Sequence, residues 1–334
     1  MKIVFFEIQG WENQFLKQAL KGHKVEFYKE ELNEKNISKA KDADVVSVFT
    51  YSQMNKKILS LLPKLKLITT RSTGYDHIDL NECKKRKIVV CSVPRYGENT
   101  VAEHTFALLL DISRNIHKAY LKTSKNDFSI EGLKGFDLKG KTIGIIGMGS
   151  IGSHVVRIAN GFEMNVLVYT RHPDIKLAKQ LNYKNVSLKE LLNKSDVITI
   201  HTPLTKETHH LINKTTIKQI KKGAILINTA RGGIVDTKAL IRALDKGIIR
   251  AVGLDVLEGE ELIKEEKQML YDKQTRQALK ELAEDHVLLS KDNVIFTPHV
   301  AFYSDEALQR IIATTAENIL SFNSKKLINV VQEK

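Results

Sequence analysis

At 334 residues the chain has room for two domains, and its 42% hydrophobic and 27% charged composition is too apolar for a disordered polymer. No run approaches the ~20 apolar residues of a membrane span. The opening Ile3–Phe6 run carries no signal-peptide anatomy, and two cysteines, Cys83 and Cys91, are too few to staple the fold. A cytoplasmic protein in a reducing compartment is expected. The 52 basic residues against 39 acidic ones leave a net charge of +13. The densest cluster, Lys84-Lys85-Arg86-Lys87, runs into the apolar Ile88-Val89-Val90, as at a helix end preceding a strand, where cations complement the helix dipole. No aromatic interleaving, zinc pattern or recognition helix accompanies it. Neither nucleic acid nor membrane is therefore expected as a partner, and a basic field around a small anion is the better use of the charge.

The chain alternates short β-branched runs with helical patterns, the rhythm of parallel α/β architecture. Strands are predicted at Ile3–Phe6, Val25–Tyr28, Val45–Phe49, Leu67–Thr70 and Ile88–Val90, with helical stretches at Glu12–Lys21 and Asn55–Leu62. A long helix is predicted from Glu98 to about Tyr120. Its apolar set, including Val101, Phe106, Leu109, Ile112 and Ile116, suits a domain junction or subunit interface. A second strand series follows at Thr142–Ile146, Val166–Tyr169, Val197–Ile200, Ala224–Ile227, Ala251–Leu254 and Val294–Phe296. Helices are predicted between them at Leu188–Leu192, Thr215–Ile220 and Thr237–Leu244, and a last one from Asp305 to about Phe322. The charged stretch from Glu258 to Asp292 reads as a surface excursion with a helical pattern around Thr275–Leu282.

Gly147-Met148-Gly149-Ser150-Ile151-Gly152 satisfies G-x-G-x-x-G between a predicted strand and a predicted helix. In that context the glycines let a pyrophosphate approach main-chain N–H groups at a helix N-terminus. The next strand ends in Thr170-Arg171-His172, where an NAD-specific site normally carries an acid. Thr170 cannot repel a 2′-phosphate and Arg171 could neutralise one, so NADP is admitted. Equally, Thr170 could serve the 2′-hydroxyl of NAD while Arg171 stacks on adenine. Three further predicted strands deliver, at their carboxyl ends, the segments Asn228–Gly233, Asp255–Glu260 and Thr297–His299. Each supplies a different ionisable group: a guanidinium, a carboxylate and an imidazole.

These motifs, with Arg71–Asp79, Val101–His104 and His201-Thr202-Pro203-Leu204-Thr205, occur in an order that resembles the D-isomer-specific 2-hydroxyacid dehydrogenases along essentially the whole chain. The run His299-Val300-Ala301-Phe302-Tyr303 is similar to the D-lactate dehydrogenase branch, which has an aromatic pair after its histidine.

The resemblance implies two Rossmann-like α/β domains with parallel sheets. A discontinuous, flavodoxin-like substrate domain would comprise residues 1–97 and 300–334, and a doubly wound NAD(P)-binding domain residues 98–299. It implies hydride transfer between NAD or NADP and C2 of a small anionic 2-keto or 2-hydroxy acid, pyruvate and D-lactate first. Arg231 would clamp the substrate carboxylate and His299 would be the acid/base. Glu260, five residues after Asp255, would orient the imidazole ahead of its rival Glu258. Thr73, Gly74, Tyr96, Phe302 and Tyr303 would contact substrate. The cofactor would be held by Gly147, Gly149, Ser150, Ile151, Gly152, Thr170, Arg171, Thr202, Pro203, Thr208, Thr229, Ala230 and Asp255. No metal is expected, and His201, His209 and His210 are read as non-catalytic. A homodimer through the long helix is implied. The alternatives are a glyoxylate, hydroxypyruvate or bulkier 2-keto acid reductase and, in another class, a dinucleotide-sensing corepressor-like protein. The lack of a long tail beyond Lys334 argues against the last, and the acid at position 260 argues against formate oxidation.

Overall fold

The valine- and isoleucine-rich runs that open the chain have no polar face. Val45–Val48 and Leu67–Thr70 are buried at every position, as strands covered on both faces must be. The computed structural model describes residues 1–259 and 276–331. These form two compact units, one of residues 1–96 with 303–334 and one of residues 97–302.

In the first unit β1 (Lys2–Phe5), β2 (Lys24–Phe27), β3 (Val45–Val48), β4 (Leu67–Thr70) and β5 (Val89–Cys91) form a five-stranded sheet in the order β2-β1-β3-β4-β5. All pairs are parallel, and the order is that of flavodoxin-like folds. The C-terminal helix, Asp305–Asn323, returns here and buries Ile312, Ala316 and Ile319 against Ile3, Phe5 and Leu67. Ser304 starts that helix by accepting a hydrogen bond from Ala307 N at 3.2 Å, a cap worth about 1 kcal/mol.

The second unit holds β6 (Thr142–Ile146), β7 (Asn165–Tyr169), β8 (Lys184–Asn185), β9 (Val197–Ile200), β10 (Ala224–Asn228), β11 (Ile249–Leu254) and β12 (Val294–Phe296). They form one seven-stranded parallel sheet in the order β12-β11-β10-β9-β6-β7-β8. Chain direction across the sheet reverses between β6 and β9, the switch point at which doubly wound folds place ligands. The α/β class with two parallel sheets, one flavodoxin-like and one doubly wound, is the architecture expected from the sequence.

Each sheet is fastened at its amino end by the same device. Asp44, just before β3, accepts Lys2 N at 2.9 Å and Lys66 Nζ at 2.8 Å. Asp196, just before β9, accepts Thr142 N at 2.9 Å and Lys221 Nζ at 2.7 Å. Both carboxyls sit below the usual carboxylate range. For Asp44 the Lys66 bond is the main cause; for Asp196 burial pushes upward but the Lys221 and Thr142 bonds outweigh it.

Some expected elements change. The helix predicted to run from Glu98 to Tyr120 is two helices, Glu98–Arg114 and Ile116–Thr123, broken at Asn115. Asn115 is left-handed (φ 52°), a conformation asparagine tolerates better than most residues, and its side-chain amide donates to Leu133 O and Lys134 O at 3.3 Å. The Asp111 carboxylate then accepts His117 N at 2.8 Å and starts the second helix. The apolar stripe of the first, including Phe106, Leu109 and Ile112, is buried within the second unit together with Val155 and Val156 of the Ser150–Gly161 helix. The helix predicted at Thr215–Ile220 is a 3₁₀ turn, Thr216–Gln219. The edge strand β8 has no apolar signal in the sequence. Its polar residues and two-residue length suit an edge that must not recruit another strand.

Candidate active site

The glycine loop of the second unit joins β6 to the Ser150–Gly161 helix, and its three glycines do three different things. Gly147 adopts φ 102°, and a Cβ there would lie 2.4 Å from His201 O. A Cβ at Gly152 would lie 2.3 Å from Gly147 O, so the helix packs against the loop only without a side chain. At Gly149 a Cβ would meet nothing within 4 Å. Gly149 is also the helix N-cap, with no side chain capping the helix. Folding demands the first and third glycines; the second leaves open space in front of a helix N-terminus that carries partial positive charge. A dinucleotide pyrophosphate fits that arrangement, with Ser150 and Ile151 in the first helical turn.

The loop is backed by the start of the segment after β9. His201 N donates to Ile146 O at 2.7 Å, and Thr202 follows beside Gly147. The His201 Nε2 lies 2.9 Å from Thr199 Oγ1, whereas its buried Nδ1 has no hydrogen-bond partner. Burial pushes this imidazole down to about 3, so it is neutral at physiological pH. Thr208 Oγ1 donates to Pro203 O at 2.7 Å and accepts Thr205 N at 2.7 Å, fixing the turn that carries Pro203. At the end of β7, Thr170 is half-buried and Arg171 exposed; the Arg171 Nη2 stands 3.8 Å from Glu207 Oε2.

Three adjacent strands, β10, β11 and β12, end in register, with Asn228 paired to Leu254 and Leu254 to Phe296. Arg231 follows β10 by three residues, Asp255 directly follows β11, and His299 follows β12 by three. The Asn228 side chain shapes the first segment by accepting Ala230 N and donating to Arg231 O, both at 3.0 Å. Thr229 Oγ1 meets Thr105 Oγ1 of the Glu98–Arg114 helix at 3.0 Å. Beyond Arg231, a Cβ on Gly232 would fall 1.9 Å from Leu257 C, so this segment lies directly on the turn that follows β11.

The His299 loop hangs on the same turn. Thr297 N donates to Leu254 O and His299 N to Asp255 O, both at 2.9 Å. The Asp255 carboxylate, 1% exposed, accepts Thr297 Oγ1 at 2.5 Å and the amides of Val300 and Ala301 at 2.9 Å. His104 Nε2 completes the cluster, 2.9 Å from Thr297 Oγ1 and 3.5 Å from Asp255 Oδ1. His299 itself has φ 55°, left-handed backbone held against its preference by these bonds. His104 and Asn228 lie in segments that carry the family resemblance, but the sequence assigns neither a role. Their work is done on other residues, and no local spacing shows it.

In the first unit, Thr73 and Gly74 form a loop beyond β4 that is braced by hydroxyls. Thr73 Oγ1 donates to Val93 O at 2.9 Å and Ser72 Oγ to Gly74 O at 2.6 Å. The Tyr96 carbonyl accepts Arg310 Nε at 2.7 Å. Tyr303 is 59% exposed. Phe302 belongs to the second unit, beside Gly97. Glu260 lies outside the described residues.

The D-isomer specific 2-hydroxyacid dehydrogenase NAD binding domain matches residues 106–301. The D-lactate dehydrogenase of Escherichia coli K12 is 36% identical over 96% of this chain and 96% of its own length. A glyoxylate reductase of Pyrococcus furiosus is 34% identical over 95% of this chain and 86% of its own. Among solved structures, the D-lactate dehydrogenase of Aquifex aeolicus complexed with NAD and lactic acid superposes with a TM-score of 0.88 at 39% identity, covering 99% of both chains. The glycine loop before an uncapped helix, the arginine after β10 and the histidine after β12 thus stand in a chain that belongs to the D-isomer-specific 2-hydroxyacid dehydrogenase family, with that family's NAD-binding domain in its second unit.

Proposed function

We propose that this oxidoreductase reduces a small 2-keto acid, pyruvate foremost, to the D-2-hydroxy acid, using NADH or NADPH. The observation that carries the reading is that the segments of Arg231 and His299 both rest on the turn after β11, one through Gly232 against Leu257 and the other through Asp255.

A reduced nicotinamide held at this glycine loop would supply the hydride. Arg231 holds the substrate carboxylate through its guanidinium fork, which a lysine would not reproduce. His299 donates a proton to the C2 oxygen as charge develops there, a step worth ~10²–10⁴-fold. Glu260, which lies outside the described residues, is the carboxylate assigned to that imidazole by the family resemblance. Backbone amides of Thr73 and Gly74 add to the carboxylate's binding, with Tyr96, Phe302 and Tyr303 bounding a short side chain. On the cofactor side, Gly147, Gly149, Ser150, Ile151 and Gly152 take the pyrophosphate, and Thr170 and Arg171 the adenosine ribose. Thr202, Pro203, Thr208, Thr229, Ala230 and Asp255 shape the rest of that site.

The aromatic pair after His299 favours pyruvate over glyoxylate. The exposed apolar side chains Ile116, Tyr120, Leu121, Phe128 and Ile130 support a homodimer. Two free, buried cysteines suit a reducing cytoplasm, and no helix of the described residues is long and apolar enough to cross a membrane.

A steady-state panel of pyruvate, glyoxylate, hydroxypyruvate, 2-ketoisocaproate and phenylpyruvate with both reduced cofactors tests the reading. Pyruvate is expected to give the highest kcat/KM. His299→Gln is expected to bind NADH as the parent does and to lose ~10²-fold or more in kcat. Near-normal turnover in that variant, or cofactor binding without turnover in the parent, overturns the proposal; the second result would favour a dinucleotide sensor.

A further inference from the structure

Behind the Arg231-Gly232-Gly233 segment, on the side of the Leu257–Glu258 turn, the chain assembles three side chains that the proposed reaction does not use. His209 and His210 stack with ring centroids 4.0 Å apart and planes at 25°. His210 Nε2 lies 2.6 Å from Glu258 Oε1, which is 48 positions away in sequence. One nitrogen of each imidazole and a carboxylate oxygen of Glu258 all fall within 4.8 Å of one another. No local spacing advertises this set; the fold creates it.

The set is anchored. His210 N donates to Gly233 O at 2.9 Å, Asn213 Nδ2 donates to His210 O at 2.8 Å, and His209 N donates to Thr205 O at 2.8 Å. His210 is held at φ 49°, which turns its ring toward Glu258. Glu258 N in turn sits against Gly232, where a Cβ would come within 2.3 Å. Two of the three donors are therefore fixed by backbone that cannot drift, and the third, His209, is exposed and can rotate. Little ordering remains to be done on binding.

From this geometry we propose that His209, His210 and Glu258 are a binding site for a divalent transition cation of the zinc type. Two imidazoles and one carboxylate suit zinc, and imidazole ligation disfavours magnesium and calcium. Bonds of about 2.0–2.2 Å in a tetrahedron place donors roughly 3.3 Å apart. Rotation of His209 brings its nitrogen, now within 4.8 Å of the other two donors, to that spacing, and the His210–Glu258 pair opens from 2.6 Å. The cation takes the place of the hydrogen bond between His210 Nε2 and Glu258 Oε1, and the imidazole keeps its remaining proton on Nδ1. A fourth position faces solvent. Once filled, the site clips the loop of residues 203–210 to the turn carrying Glu258, directly beneath the arginine segment.

The test is isothermal titration calorimetry of the untagged chain with zinc chloride, and with magnesium chloride as the control. Expected are a single zinc bound per chain with Kd on the order of micromolar and no magnesium heat. His209→Ala and Glu258→Gln should each weaken zinc roughly tenfold or more while keeping the parent's Tm and circular dichroism. Absence of saturable zinc binding at about 100 μM, or parent-like affinity in either variant, overturns the site. The readout is binding, so its failure is distinct from any failure of the dehydrogenase reading.

Discussion

Asp255 holds the loop of His299 at four points. Its carbonyl accepts His299 N at 2.9 Å, and its carboxylate accepts Thr297 Oγ1, Val300 N and Ala301 N. The histidine proposed to move a proton is thus set by a carboxylate at the end of the adjacent strand, and its left-handed backbone is maintained from β11.

That relationship makes Asp255→Asn a sharp test. The amide keeps the shape but turns a donor toward one of the donors Asp255 now satisfies, and an unmet buried group costs about 1–3 kcal/mol. We expect a variant that folds, with Tm lowered by several degrees and kcat for pyruvate reduction down roughly 10- to 100-fold. Stopped-flow and steady-state rates, with NADH binding measured in parallel, would separate this from a cofactor defect. Parent-like kcat would refute the positioning role.

The glycine loop separates folding from binding. Gly149→Ala should leave Tm within about a degree of the parent while raising the KM for NADH at least tenfold, because its methyl enters open space at the helix start. Gly152→Ala should instead destabilise, by about 1–3 kcal/mol, since Gly147 O stands 2.3 Å from the added carbon. Thermal melts and NADH titrations on the pair check both halves.

Cofactor choice is expected to turn on Arg171, which is exposed and leans toward Glu207 at 3.8 Å. Arg171→Ala should lower kcat/KM for NADPH about fivefold with little change for NADH, the scale of an exposed charged contact of about 1 kcal/mol. Glu207→Ala should move the ratio the other way by releasing the guanidinium. An unchanged NADPH/NADH ratio in both would leave adenine stacking as the residue's use.

His201 makes stability depend on pH. Its folded pKa, pushed down to about 3 by burial, lies below the unfolded value of about 6.5. Between those limits the unfolded chain binds the extra proton, so stability falls as pH drops from 6.5 toward 3, by up to ~1.4 kcal/mol per pH unit. Replacing it by His201→Asn should flatten that part of the curve. Denaturant melts of both proteins at pH 4.5, 5.5 and 6.5 would show the slopes; parallel slopes would refute the assignment.

How much of this is written in the sequence depends on where the cause lies. Strands such as Leu67–Thr70 and Val197–Ile200 are legible because burial on both faces leaves uninterrupted apolar or β-branched runs. The glycine loop is legible because its physics is local. Asn115 is different: the break it makes rests on Leu133 and Lys134, which no helical periodicity at Glu98–Arg114 foretells. β8 is two polar residues whose pairing with β7 is decided by the sheet. Of the candidate site, Arg231 and His299 follow from motif and strand end. Asn228, His104 and Thr297 act at second hand, and the meeting of His210 with Glu258 exists only after folding.

The aspartate pins at Asp44 and Asp196 have a practical corollary. Each grips the amino ends of the strands in its own sheet, whereas Thr73 in the first unit and Arg231 and His299 in the second follow carboxyl ends, so durability and the candidate site are inscribed on different rims of each sheet. An engineer could therefore harden the molecule against heat or acid by reworking the neighbourhoods of Lys2, Lys66, Thr142 and Lys221, and expect the kinetics to come through untouched.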